Sequence, residues 1–341
     1  MNLRHALLLA VLLLLLPACE RGDQKELATP ANTPSAPETV ATLRPNVTPE
    51  STLAASTAVP ARTPQPEASA TPLPDARQDG LSFHFGRDVD PFDRSLIERA
   101  VEVTRDLLRD ESGLQPPAAV FAYESPGELA DAFAGDALAQ AWRADGMAGR
   151  LTRTIAEASY RGIVINTGLP VWKAMDATQR LRVVAHEFVH VIQLEHAGPQ
   201  VADATFTSSN TVAPDAGPFW LLEGSAEVVS WLVLQELNLG AYADALLDYA
   251  AGSKGSSPGL QPLEAYFGFA QAGQAGVGMS VLATDYLLRS RSLSGLFEFW
   301  TEVGRGAAWQ TAFTRHFGLP PQFFYEAFTE YYETVWARSV N

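Results

Sequence analysis

Positions 176–196, DATQRLRVVAHEFVHVIQLEH, constrain the fold of this 341-residue chain more than any other stretch. Asp176 reads as a helix cap, and Leu181, Val184, Phe188, Val189, Val191 and Ile192 then spread around most of a helical circumference. A helix apolar on so much of its surface belongs inside a folded body, with other elements packed around it. Yet it carries three of the six histidines of the chain, and Glu187 among them. Such groups are costly to bury without a partner.

On an α-helix, positions i and i+4 differ by about 40° and lie about 6 Å apart along the axis. His186 and His190 therefore project from one face and can bind one cation through their imidazoles. Glu187 is turned by about 100° from His186, which suits it to lie beside a cation-bound water and take its proton. This is the logic of H-E-x-x-H: two ligands and a general base.

Two residues compete to be the third ligand. His196 stands ten positions after His186, the spacing of the metzincin pattern H-E-x-x-H-x-x-G-x-x-H, but Gln193 occupies the position where that pattern needs glycine. On an unbroken helix His196 lies about 15 Å along the axis from His186, too far to share an ion. The other candidate is Glu223 in PFWLLEGSAEVVSWLVLQEL (218–237). Trp220, Leu221, Val228, Trp231 and Leu232 make that helix a buried one, where an unpaired carboxylate is expensive and a cation-bound one is not. Gly224 permits close approach of a neighbouring helix or the metal. Glu227, one turn on, shares the face of Glu223 and can accept from the free nitrogen of a bound imidazole; the alternative is a solvated acid.

Trp220, Leu221, Glu223, Gly224, Ala226 and Glu227 match W-L-x-E-G-x-A-E, and this stretch resembles the second zinc motif of gluzincin metallopeptidases. HVIQ after the first motif, and the helical tail VLATDYLLRSRSLSGLFEFWTEVGRGAAWQTAFTRHFGLPPQFFYEAFTEYY, are similar to the peptidase-MA-like group. The resemblance spans roughly residues 118 to 336. It implies a zincin-like fold, one Zn²⁺ held by His186, His190 and Glu223, and hydrolysis of a peptide or protein substrate with Glu187 as base. It also implies a Tyr or His donor for the oxyanion, for which Tyr266 and Tyr286 are the local candidates, although each is read first as a core tyrosine because neither falls at a family position. The 32 residues between His190 and Glu223 make a longer gap than in many gluzincins and include a polar stretch, GPQVADATFTSSNTVAPDAGP, expected to be a loop.

The folded part does not include the whole chain. Residues 1–18 read as a signal peptide: Arg4, then the apolar run ALLLAVLLLLL (6–16), too short to cross a bilayer comfortably. Leu16-Pro17-Ala18-Cys19 resembles the lipobox of bacterial lipoproteins, which makes Cys19 the lipid-bearing N-terminus; plain secretion is the alternative. Cys19 is the sole cysteine, so no disulfide forms within the chain. Residues 20–79 carry ten prolines, nine threonines and no aromatic residue, the composition of a disordered stalk spanning between about 40 and about 190 Å. These readings place residues 80–341 at the cell envelope, facing outside the cytoplasm and attached through lipid alone. The formal net charge of −15 argues against nucleic acid or an anionic membrane surface as partner.

Within 80–341 the first half is mixed. LSFHF (81–85), AAVFAYE (118–124) and RGIVINTG (161–168) are expected strands, and 90–110 and 125–142 expected helices. Residues 149–168 are expected to supply either a sheet edge on which an extended peptide pairs or a core hairpin. Helices are expected near 176–196, 218–238, 274–290, 293–303, 307–317 and 320–336. Strands first and helices afterwards indicate an α+β fold, with a small mixed sheet and a mostly helical C-terminal lobe. Two other functions remain compatible with these residues: a peptidase-like domain without turnover, and a metal-free solute- or glycan-binding lipoprotein.

Overall fold

A computed structural model describes residues 80–125, 127–129, 154–160, 162–206, 217–254 and 259–336, apart from the side chains of 200, 202–206 and 267. The leader, Cys19, the stalk and most of the expected helix at 125–142 lie outside these residues.

The alternating LSFHF forms β1 (Leu81–Phe85), an edge strand. Helix α1 (Pro91–Ser112) starts where Asp90 accepts a 2.7 Å hydrogen bond from the Phe92 N–H, with Pro91 in the first turn. It stops at Gly113, whose φ of 64° suits a residue without Cβ. α1 is the crossover that lets β2 (Ala118–Tyr123) lie parallel to β1. All six side chains of β2 are buried, as expected of a strand covered on both faces. β4 (Gly162–Asn166) pairs parallel with β2, Val120 opposite Ile163.

β3 (Ala156–Ser159) completes the order β1-β2-β4-β3 and pairs antiparallel with β4, Ala158 opposite Ile163. AEAS has little strand propensity, and the open edge of β4 supplies what the sequence lacks. Residues 156–166 are therefore a hairpin whose first strand is the sheet edge.

α2 (Pro170–Ala174) leads into α3 (Ala177–Phe206), the helix that carries the histidines. Asp176 and Gln179 exchange hydrogen bonds of 2.9 and 3.0 Å, a reciprocal cap that fixes the start of α3. Buried Asp93 ties α1 to both, accepting from Trp172 Nε1 at 2.9 Å and Arg180 Nη1 at 2.7 Å. α3 outruns the expected end at 196. At Gly198 the backbone swings to φ 78°, ψ 167°, Pro199 follows, and helix resumes to Phe206. Part of the expected loop is thus helical, because glycine permits the bend and proline suits a first turn; residues 207–216 lie outside the described ones.

α4 (Phe219–Glu236) packs against α3 and, further on, against α6 (Tyr266–Leu288). α5 (Tyr242–Ser253) lies on α6 and was not expected; only Ala245, Leu246, Ala250 and Ser253 on it are buried, too sparse a stripe to stand out. α6 bends at Gly273, φ 55°, which explains why the periodicity predicts a helix only from 274. α7 (Leu293–Gly304), α8 (Trp309–Phe317) and α9 (Pro321–Tyr331) follow, near the expected limits. A π-helical turn, Tyr332–Trp336, ends the described chain. None of the described helices is long and apolar enough to cross a membrane.

The architecture is α+β, with a small four-stranded mixed sheet and a large helical part. Two apolar cores hold it. One joins the sheet, α1 and α3, and includes Ala226, Val229 and Val233 of α4. The other gathers Trp220, Leu221 and Val228 of α4 with Phe299, Phe313, Phe317, Phe324 and Phe328 of α7 to α9. Trp220 stacks on Phe324, ring centroids 5.6 Å apart, and donates to Tyr325 OH at 3.2 Å. α4 belongs to both cores, so its rotation is fixed from two sides.

Candidate metal centre

α3 presents His186 and His190 one turn apart, both about 4 % exposed. Their rings meet edge to face, with Nε2 of one 3.0 Å from Nε2 of the other. Glu223, in the second turn of α4, lies opposite. One carboxylate oxygen is 3.5 Å from His186 Nε2 and the other 3.7 Å from His190 Nε2. These three residues offer ligand atoms all within 4.8 Å of one another. A four-coordinate zinc with bonds of about 2.0–2.1 Å holds its ligand atoms about 3.3 Å apart, so the donor set has the chemistry and spacing for that ion. Glu223 is the more open of the three, its side chain 22 % exposed.

Gly224 lets α4 approach α6 closely. A Cβ there would meet Ser280 O of α6 at 2.4 Å. Of the two uses expected for this glycine, close approach of a helix is the one observed.

The outward faces of both imidazoles have partners. His186 Nδ1 lies 3.3 Å from Glu227 Oε1, an approach too oblique for an aligned hydrogen bond but close enough for strong electrostatic contact. Glu227 also forms a buried ion pair with Arg182 and accepts from Tyr249 OH at 2.9 Å. Arg182 lies over the Trp231 ring, 5.5 Å from its centroid. Glu227 is thus a buried, paired acid and not a solvated one. His190 Nδ1 lies 2.7 Å from Gln193 Oε1.

Charge explains why these groups belong together. Two neutral rings with Nδ1 protonated would turn two lone pairs towards each other and towards a carboxylate, which is repulsive unless a positive charge sits among them. In the metal-free chain a proton fills that role. Burial lowers the affinity of His186 for its proton, but Glu223 and Glu227 outweigh this and push its pKa up to about 10. Burial pushes His190 down to about 4. Glu227 is held far below the ordinary carboxylate range: burial opposes its ionisation, and Arg182 and His186 overcome it.

Glu187, beside His186 on α3, is 5 % exposed. Burial lifts its carboxyl to about 7, and the charge of His186 and a hydrogen bond from the Ala158 N–H of β3 partly offset this. The residue therefore sits between the histidines and the sheet edge, with a proton affinity suited to exchange near neutrality.

His196 is remote from the centre. Its Nδ1 contacts Thr301 Oγ1 at 2.8 Å and its ring stacks on Phe297, so it fastens α3 to α7. Tyr286 stacks on Tyr331 and Phe324 inside the helical core, and Tyr266 stands edge-on to Phe219. Arg182, Gln193 and Tyr249 were not expected at the site. Arg182 and Gln193 had a signal, since they stand four residues before His186 and three after His190; Tyr249 had none. No protein-family model matches the chain, and no curated protein or solved structure matches it.

Proposed function

We propose that this protein is a zinc-dependent peptidase with a zincin-like domain of gluzincin type. The carrying observation is the convergence of His186 Nε2, His190 Nε2 and a Glu223 oxygen within 4.8 Å, beside a buried glutamate. Two imidazoles and one carboxylate, one ligand short of a closed structural site, are the donor set of catalytic rather than structural zinc. When bound, the ion supplies a Lewis acid for a peptide carbonyl and lowers the pKa of a water towards neutrality.

The residues of the chain carry the remaining steps. Glu187 accepts the proton of the attacking water and delivers it to the departing amine, for which a pKa near operating pH is the efficient value. Glu227, kept ionised by Arg182, favours a proton on the outer nitrogen of His186 through its charge and so leaves Nε2 to face the centre. The anchoring reading belongs with this one: a leader over 1–18, a lipid on Cys19 and a stalk to residue 79 present residues 80–341 at the cell envelope.

The deciding experiment incubates the purified 80–341 domain with a diverse peptide library, with and without chelator, after its zinc content has been measured. About one zinc per chain and chelator-sensitive cleavage are expected. Glu187→Gln should keep the zinc and lose cleavage by about 10²- to 10⁴-fold. Undiminished cleavage by that variant would remove Glu187 from the mechanism, and a zinc-free domain would end the proposal.

A further inference from the structure

We propose that Gln193 is a positioning residue of this centre: it fixes His190 with its proton on Nδ1 and ties that ring to the helix bearing Glu223. The inference rests on the metal reading above and extends it to Gln193, the last residue of HVIQ, to which the motifs assigned no role.

The argument turns on which way one amide faces. Gln193 is fully buried. Its Nε2 donates to Leu222 O at 3.1 Å and to Ser225 Oγ at 2.7 Å. Ser225 directs its own hydroxyl proton at backbone carbonyls of the preceding turn, Leu221 and Leu222, and so stands as an acceptor towards the amide. Both amide protons are therefore committed to α4, and the other end of the group, 2.7 Å from His190 Nδ1, is the oxygen. An amide oxygen only accepts, so His190 Nδ1 carries a proton. The lone pair of the neutral ring is left on Nε2, which faces His186 and Glu223.

The link has a second effect. Leu222 immediately precedes Glu223, so one side chain joins a histidine of α3 to the backbone beside the carboxylate of α4. A slide or rotation of one helix against the other would break it. The two rings are thus anchored differently: His186 on a carboxylate backed by Arg182, His190 on a neutral amide backed by α4. Outer partners of this kind are worth about 10- to 100-fold in metal affinity.

The test uses the 80–341 domain, zinc(II) competed against a chromogenic chelator, and ¹⁵N spectra of the histidine rings in metal-free protein. Gln193→Met keeps the length and removes both ends of the amide. It should weaken zinc by about 10- to 100-fold and abolish the Nδ1–H preference of His190. Gln193→Glu keeps an acceptor towards the ring and should keep the tautomer. Should Gln193→Met not fold, Ser225→Ala reads the same link, with a smaller loss in the same direction. Wild-type affinity together with an unchanged tautomer in Gln193→Met, or wild-type affinity in Ser225→Ala where Gln193→Met does not fold, overturns the proposal while leaving the metal reading intact. A wild-type domain that takes up no zinc overturns both.

Discussion

Glu187 carries an electrostatic conflict of its own, a carboxyl whose burial lifts its pKa from 4.5 to about 7. Below pH 4.5 the group is neutral in both folded and unfolded chains and costs nothing. As pH rises from 4.5 through 7 the unfolded chain ionises first, so stability is lost across that window, roughly 3 kcal/mol in all. Glu187→Gln should therefore raise the melting temperature of chelated protein at pH 8 and leave it nearly unchanged at pH 4.5, as read by circular dichroism. Glu227 behaves oppositely, because its charge is paired. Glu227→Leu strands the buried Arg182 guanidinium and should cost about 3–5 kcal/mol in urea denaturation. At this scale the sequence was legible where spacing on one helix decides the outcome, as for His186, Glu187 and His190. Glu223 needed a second motif as well. Tyr249 was not legible, because nothing local tells which of the nine tyrosines a folded chain will bring to Glu227.

Helix limits were readable where a backbone rule applies, as at Asp90 before Pro91 and at Asp176 before the histidine helix. They were unreadable where a neighbour decides. β3 is a strand because β4 offers an edge, and α5 is a helix because α6 covers its short apolar stripe. Gly224 shows how one element sets the place of another. Gly224→Ala would put a methyl 2.4 Å from Ser280 O and force α4 off α6. The expected cost is about 1–3 kcal/mol, with weaker zinc binding as Glu223 moves, measured by thermal melts and chelator competition on the same sample.

For the molecule as a whole, strands first and helices afterwards correctly gave α+β, since that order needs only coarse periodicity. How the two apolar cores meet along α3 and α4 was not readable, because both helices are apolar nearly all round and point to no single neighbour. Under the proposed zinc reading, the ion would bind the folded chain alone, because only folding brings His186, His190 and Glu223 together. Zinc at 100 times its dissociation constant should add about 2.7 kcal/mol to stability, and chelation should remove it, as calorimetry would record. The stacking of Trp220 on Phe324 has a further consequence, for the order of events during synthesis. The histidines leave the ribosome before α9, and until α9 docks the turn bearing Glu223 is held by α3 and α6 but lacks the Phe324 and Tyr325 contacts of Trp220. A chain cut after Gly318 should therefore hold zinc less tightly than residues 80–341, even if its sheet and its α3–α4 contacts have formed.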